Sequence, residues 1–229
     1  MLEPLGAEEL TERSVTILAN PKIRDSALVM QRREKIVRAA IKVFKNKGFH
    51  VATVRDIGKA AGLTQGTLYN YVRSKEDILF LVCDQLVQNY QGAVAAAIKG
   101  QTDPRKRLMA ALHAIIATME TNQEDVLLLY QEVHALEGDA LHAVLKRVGG
   151  FIDDIYKLLE ESRGQGLLDF PESRLAAEII TFLPLLVALR RWRLARFPAG
   201  GRDVVGGLLE FMRRGLGITP QAVEGRSNG

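Results

Sequence analysis

The stretch from Val51 to Phe80, VATVRDIGKAAGLTQGTLYNYVRSKEDILF, constrains this chain more than any other. Val54, Ile57, Ala60 and Ala61 recur at helical spacing and stop at Gly62, which accepts a left-handed backbone without a Cβ clash. Leu63 fills the corner, and Thr64 to Tyr71 supplies a second short amphipathic segment. The helix starts are encoded too. Thr53 stands three residues before Asp56, and Ser74 three before Asp77, so hydroxyl and carboxylate can satisfy the free amides of a first turn. Two short helices about a glycine-containing turn make a helix-turn-helix, which presents its second helix to a major groove of DNA.

The charge distribution agrees. Residues 31–76 carry eleven Lys/Arg against three acids, yet all 229 residues together net only +4, so the remainder is acidic on balance. A basic end on a slightly acidic body suits phosphate binding at one end. Cys83 stands alone, which rules out an internal disulfide and fits a reducing compartment. The N-terminal MLEPLGAEELTER has acids and no apolar core, unlike a signal peptide. The apolar run 175–189 is interrupted by Glu178 and Pro184 and is too short for a comfortable membrane span. The expectation is a cytoplasmic protein with no membrane contact.

The rest reads as all-α, without β alternation or internal repeat. Helix 1 is expected from Ser26 or Gln31 to Lys47, with Phe49 and Val51 packing the headpiece core. Helix 4 runs from Lys75 to Lys99, and Pro104 opens a helix striped by Leu108, Ala111, Leu112, Ile115, Ile116 and Met119. Further helices are expected over 124–136 (Tyr130 inside), 139–164 (Leu145 inside), 172–196 and 202–216. The helix 172–196 is apolar nearly all round and so needs cover on two sides. This gives an N-terminal extension 1–25, a three-helix DNA-binding headpiece 26–74, an effector-binding and dimerisation domain 75–219, and a flexible tail 220–229.

Catalytic signals are missing. No nucleophile–base arrangement, paired carboxylates or phosphate loop occurs, so no enzyme and no cofactor are expected. His113, His134 and His142 with Glu132 and Glu137 follow no metal-ligand spacing, and no metal is expected.

From Arg33 to Phe80 the chain closely resembles the TetR family of one-component bacterial regulators. The likeness is carried by Ala39, Ala40, Phe44, Gly48 and Phe49, then by the run from Thr53 through AGLTQGTLYNYV to Ser74, Lys75, Glu76, Asp77, Ile78 and Leu79. The resemblance implies a repressor that binds a palindromic double-stranded DNA operator as a homodimer and is released by a small-molecule effector. Gln65, Tyr69 and Asn70 would face base edges, with Gly66 allowing close backbone approach. Thr53, Val54, Arg55, Thr64, Thr67, Tyr71 and Lys75 would complete the DNA contact, several of them on phosphates.

The body would hold a hydrophobic or acyl-CoA-type effector. Tyr90, Leu112, Ile116, Met119, Tyr130, Phe182 and Leu186 are candidate lining. The stretch EDVLLLYQEVHAL and the later arginine-flanked tryptophan are similar to fatty-acid and acyl-CoA-responsive members. Arg190 and Arg193, with Arg191 and Arg196, would meet CoA phosphates while Trp192 stacks on the adenine. The alternatives are a solvated basic helix end, a multidrug-efflux regulator that answers lipophilic drugs, and a ligand-binding protein with a vestigial headpiece.

Overall fold

A computed structural model describes residues 26–196 and 203–218. The N-terminal extension, the expected start of the last helix at Arg202 and the tail lie outside the described residues. Among the described residues every regular element is helical. The elements are α1 (Ser26–Lys47), α2 (Val54–Ala61), α3 (Gln65–Tyr69), α4 (Lys75–Ile98), α5 (Pro104–Thr121), α6 (Gln123–Glu132), a 3-10 turn (Val133–Ala135), α7 (Gly138–Gly164), α8 (Ser173–Phe182), α9 (Leu185–Leu189), α10 (Arg191–Leu194) and α11 (Val204–Gly215). No described helix is long and apolar enough to cross a membrane.

The described residues divide into two compact units, one of residues 26–88 with 124–149 and the other of residues 89–123 with those from 150 onward. The expected boundary after Ser74 thus falls inside the first unit, where the headpiece shares a core with the start of α4. Ile36, Ala40 and Phe44 of α1 are buried with Ile57, Leu68, Ile78 and Leu79. Phe44 meets Phe49 edge-on at 5.2 Å between ring centres. Val51, expected in that core, is 71% exposed, and its neighbour Ala52 is buried instead. The chain has left α1 at that point, and one residue's rotation decides which side chain turns inward. Tyr130 and Leu145 also lie outside, at 42% and 55% exposure, and Leu128 and Val144 take the inner positions.

In the second unit α5 is the central element, with Leu108, Leu112, Ile115, Ile116 and Met119 all buried and with α9 and α11 packed on it. Tyr90, at the unit's edge of α4, lies 5.5 Å from the ring of Phe151 and donates its hydroxyl to Met119 Sδ at 3.4 Å. The single helix expected over 172–196 is three helices. Pro184 has no amide hydrogen to continue the ladder, so α8 ends at Phe182, where the Leu183 amide makes the last α-type bond to Ile179 (2.7 Å). Neither α9 nor α10 has a side-chain cap.

Candidate nucleic-acid interface and ligand cavity

The headpiece is built by local chemistry. The Thr53 hydroxyl accepts from the Asp56 amide at 3.1 Å, and the Thr53 amide donates back to the Asp56 carboxylate at 3.2 Å, a complete capping box at the start of α2. Lys47 Nζ donates to Asp56 at 2.8 Å. That ammonium, and then the Thr53 hydroxyl and amide, hold the Asp56 carboxyl down at about 2. Gly62 closes α2 at φ 65°, and the Leu63 amide reaches back to Gly58 at 2.9 Å. Gly58 itself is the crossing point of α2 and α3, because a Cβ there would stand 3.1 Å from Leu68 Cδ2. Thr64 caps α3 by accepting from the Thr67 amide at 3.2 Å, and the two hydroxyls share a 2.8 Å hydrogen bond.

This frame sorts side chains by direction. Ile57 and Leu68 are wholly buried. Thr53, Arg55, Thr64, Gln65, Gly66 and Asn70 are exposed, and Tyr69 is 48% exposed although it adjoins Leu68. Gln65, Tyr69 and Asn70 therefore stand free on one short capped helix, with donors and acceptors suited to base edges. Val54, Thr67 and Tyr71 are half-buried at its margin. Lys75 is tied into the structure: its ammonium donates to the carbonyls of Phe49 (2.7 Å) and His50 (3.0 Å) and lies 4.6 Å from the Phe49 ring centre. The lysine expected at a phosphate thus fixes the loop after α1. The Ser74–Asp77 pair caps α4 as its spacing predicts, with the Asp77 amide on Ser74 Oγ at 3.1 Å.

The second unit holds a cavity of about 380 Å³ between α4, the start of α5 and α7. Its floor is apolar, from Val94, Ala95, Ile98, Phe151, Ile155 and Leu158. Its rim is polar but internally matched. Gln91 donates to Asp154 at 3.0 Å, Lys157 lies 3.6 Å from the same carboxylate, and Arg107 donates to Glu161 at 2.8 Å. A smaller apolar cleft of about 160 Å³ lies between α8 and α11, lined by residues such as Ile179, Leu183 and Phe211.

None of the ten side chains expected to meet an effector lines either space. Tyr90, Leu112, Ile116 and Met119 are core residues. Tyr130, Phe182, Leu186 and Trp192 are open to solvent, as are Arg190 and Arg193. Arg196 lies 5.9 Å from the Trp192 ring centre, so the tryptophan face has a guanidinium neighbour. The polar rim residues Gln91, Arg107, Asp154, Lys157 and Glu161 are not among the residues expected from the sequence. The available signal was weak: polar residues edging the apolar stripes of two long helices. Among the described residues no cluster of His, Cys, Asp or Glu is placed to hold a metal. Cys83 is buried, and that burial pushes its thiol up to about 12, which makes it a packing residue.

A capped helix-turn-helix on a helical body defines a class, the helix-turn-helix regulators of transcription. Residues 36–82 match the family described as bacterial regulatory proteins, tetR family. Over these residues the chain carries a helix-turn-helix region of the TetR type. Among curated relatives it is 32% identical over 117 residues to the transcriptional regulator HbdR of Aromatoleum sp., a match that covers 51% of each chain. It is 26% identical over 190 residues to the transcriptional activator FasR of Mycolicibacterium smegmatis, covering 83% of this chain and 85% of that one. The first of these matches spans only about half of the relative's length.

Solved structures agree in fold. A tetR-family regulatory protein from Rhodococcus RHA1 superposes with a TM-score of 0.68 at 21% identity, over 82% of this chain and 98% of that one. The fatty acid degradation regulator FadR of Bacillus halodurans gives 0.66 at 20%, over 81% and 94%. AibR, solved with isovaleryl coenzyme A and operator DNA, gives 0.62 at 17%, over 82% and 100%.

Proposed function

We propose that this chain is a dimeric, ligand-responsive regulator of transcription that reads a palindromic operator with Gln65, Tyr69 and Asn70. The observation that carries the reading is the exposure of these side chains on a helix fixed by the Thr64 cap and by buried Leu68. Thr53, Thr64 and Arg55 lie exposed beside them, suited to phosphate contacts that set register while base contacts set sequence. Dimerisation is supported by an uncovered apolar surface in the second unit. Leu175, Ile179 and Phe182 of α8 and Phe211 of α11 are each 43–64% exposed, too much apolar area for a free face. Two headpieces on one operator would sit about 34–36 Å apart.

Selection of binding sites from a random duplex pool, followed by footprinting, tests this reading. A palindromic consensus protected by the wild type and unprotected by Tyr69→Ala is the expected result. Equal protection by both proteins removes Tyr69 from base recognition.

The effector is proposed to be a mainly apolar molecule held over the floor formed by Val94, Ile98, Phe151 and Ile155. The structural likeness to a fatty acid degradation regulator and to a regulator bound to isovaleryl coenzyme A supports an acyl-CoA. The matched charges of the rim, and the absence of Arg190 and Arg193 from it, favour a second reading, an uncharged lipophile such as a drug. Thermal melting against acyl-CoAs, free fatty acids and lipophilic drugs separates the two. Stabilisation by an acyl-CoA supports the thioester, and stabilisation by uncharged drugs alone supports the lipophile. FasR is an activator, and promoter assays with and without ligand read the sign of control by this chain.

A further inference from the structure

Three helices of the first unit converge on one buried carboxylate. Asp84 of α4 is 7% exposed and accepts from Gln88 Nε2 at 2.9 Å. One of its oxygens pairs with Arg33 of α1, which is 5% exposed, and the other with Arg147 of α7. Two guanidinium groups therefore share one carboxylate, Arg33 buried and Arg147 partly exposed. Arg33 is also under-satisfied, because its Nε has no hydrogen-bond acceptor. Burial, and then the nearby charge of Arg147, push the Arg33 pKa down. A buried pair is held strongly only when its charges match and its donors are used.

We propose that Arg33 and Arg147 compete for Asp84, so that the hold of α7 on this carboxylate regulates how firmly the headpiece helix α1 is fixed. Helix α7 is continuous, and from Phe151 onward it supplies one wall of the cavity over the apolar floor. A ligand that shifts α7 would move Arg147 and hand Asp84 to Arg33, or the reverse. Its meaning as a signal rests on the regulator reading above, whereas the competition can be measured without DNA or effector.

The experiment is hydrogen–deuterium exchange by mass spectrometry on the full chain, with urea unfolding of the single and double variants. In Arg147→Gln, amides of α1 around Arg33 should exchange no faster than in the wild type, or several-fold slower, while those of α7 around Val144 speed up. Asp84→Asn should accelerate both by about tenfold or more. Arg33→Gln with Arg147→Gln should cost more than the two single changes added together, because only the double variant leaves Asp84 without a cation. Faster exchange of α1 in Arg147→Gln, or additive losses in urea, would overturn the proposal and leave two ordinary structural ion pairs. Arg147→Met provides the same comparison without a new hydrogen-bonding amide. Failure of the wild type to select any operator, with the exchange pattern as expected, would count against the regulator reading alone.

Discussion

The headpiece and the last helices of the second unit solve the same problem in opposite ways. In the headpiece, α2 and α3 are each started by a threonine hydroxyl, and the turn between them is closed by Gly62. Every device lies within five residues of the backbone group it satisfies. From α8 to α10 the chain is broken at Pro184 and again at Arg190, α9 and α10 lack side-chain caps, and apolar side chains are left in water. The first region is complete within one chain, as a reader of DNA must be before it arrives at its site. The second is unfinished without something laid upon it. This contrast predicts that damage to the two regions will separate cleanly.

The largest effect should come from the unfinished side. Phe182→Asp with Phe211→Asp places two charges on the uncovered face and should weaken self-association by at least about 3 kcal/mol, over a hundredfold. Sedimentation velocity at micromolar concentration should then show a monomer, with helix content by circular dichroism unchanged. A dimer that persists would move the interface elsewhere and end the contrast.

Next in size, Leu68→Ala should cost about 2–5 kcal/mol, because a fully buried side chain packed on Gly58 leaves a hole that two short helices cannot close. Urea unfolding followed by headpiece-specific exchange should show the loss, and the dimer should survive it. Tyr69→Ala and Gln65→Ala, one residue and three from Leu68, should leave stability within about 0.5 kcal/mol. Each should remove about 1–3 kcal/mol of preference for the selected operator. If Tyr69→Ala instead lowers stability as Leu68→Ala does, the tyrosine belongs to the frame and not to the reading surface.

What could be read in the sequence follows the same divide. The capping boxes at Thr53–Asp56 and Ser74–Asp77, the stop at Gly62 and the stripe of α5 are local patterns, and the structure contains all of them. Val51, Tyr130 and Leu145 were placed inward on hydrophobicity alone, and tertiary packing chose their neighbours. Pro184 stood in plain sight, but the apolar run on both sides of it suggested continuity where the missing amide imposed a break. The cavity was the least legible feature, since its walls come from helices some fifty residues apart in the chain. Lys75 is an instructive case. Its type and place suggest a phosphate contact, and in the free chain its ammonium donates to two carbonyls of the loop after α1.

The smallest effect is one of pH, and both regions should show it through different groups. Asp56 is held at about 2 by Lys47 and Thr53, below its ordinary 3.8. Glu210 of α11 is held at about 2 by Arg213 and Arg214, below its ordinary 4.5. For a carboxylate depressed in the folded state, the unfolded chain takes up the proton first as pH falls. The stabilising contribution is therefore complete above the unfolded value and disappears on the way down to the folded one. Between neutrality and about pH 4.5 neither group should alter stability, and the loss should begin between there and pH 2. Both carboxylates are exposed, so salt should blunt the effect.

Trp192, the sole tryptophan, stands in the second unit and can report on it by fluorescence, while peptides from α2 report on the headpiece by exchange. Glu210→Gln should flatten the acid limb seen by Trp192 and leave the α2 limb unchanged. Asp56→Asn, which keeps an acceptor for the Thr53 amide but loses the Lys47 ion pair, should do the converse. Acid curves that move together for both substitutions would mean that the two regions unfold as one, and the independence of reader and body would have to be given up.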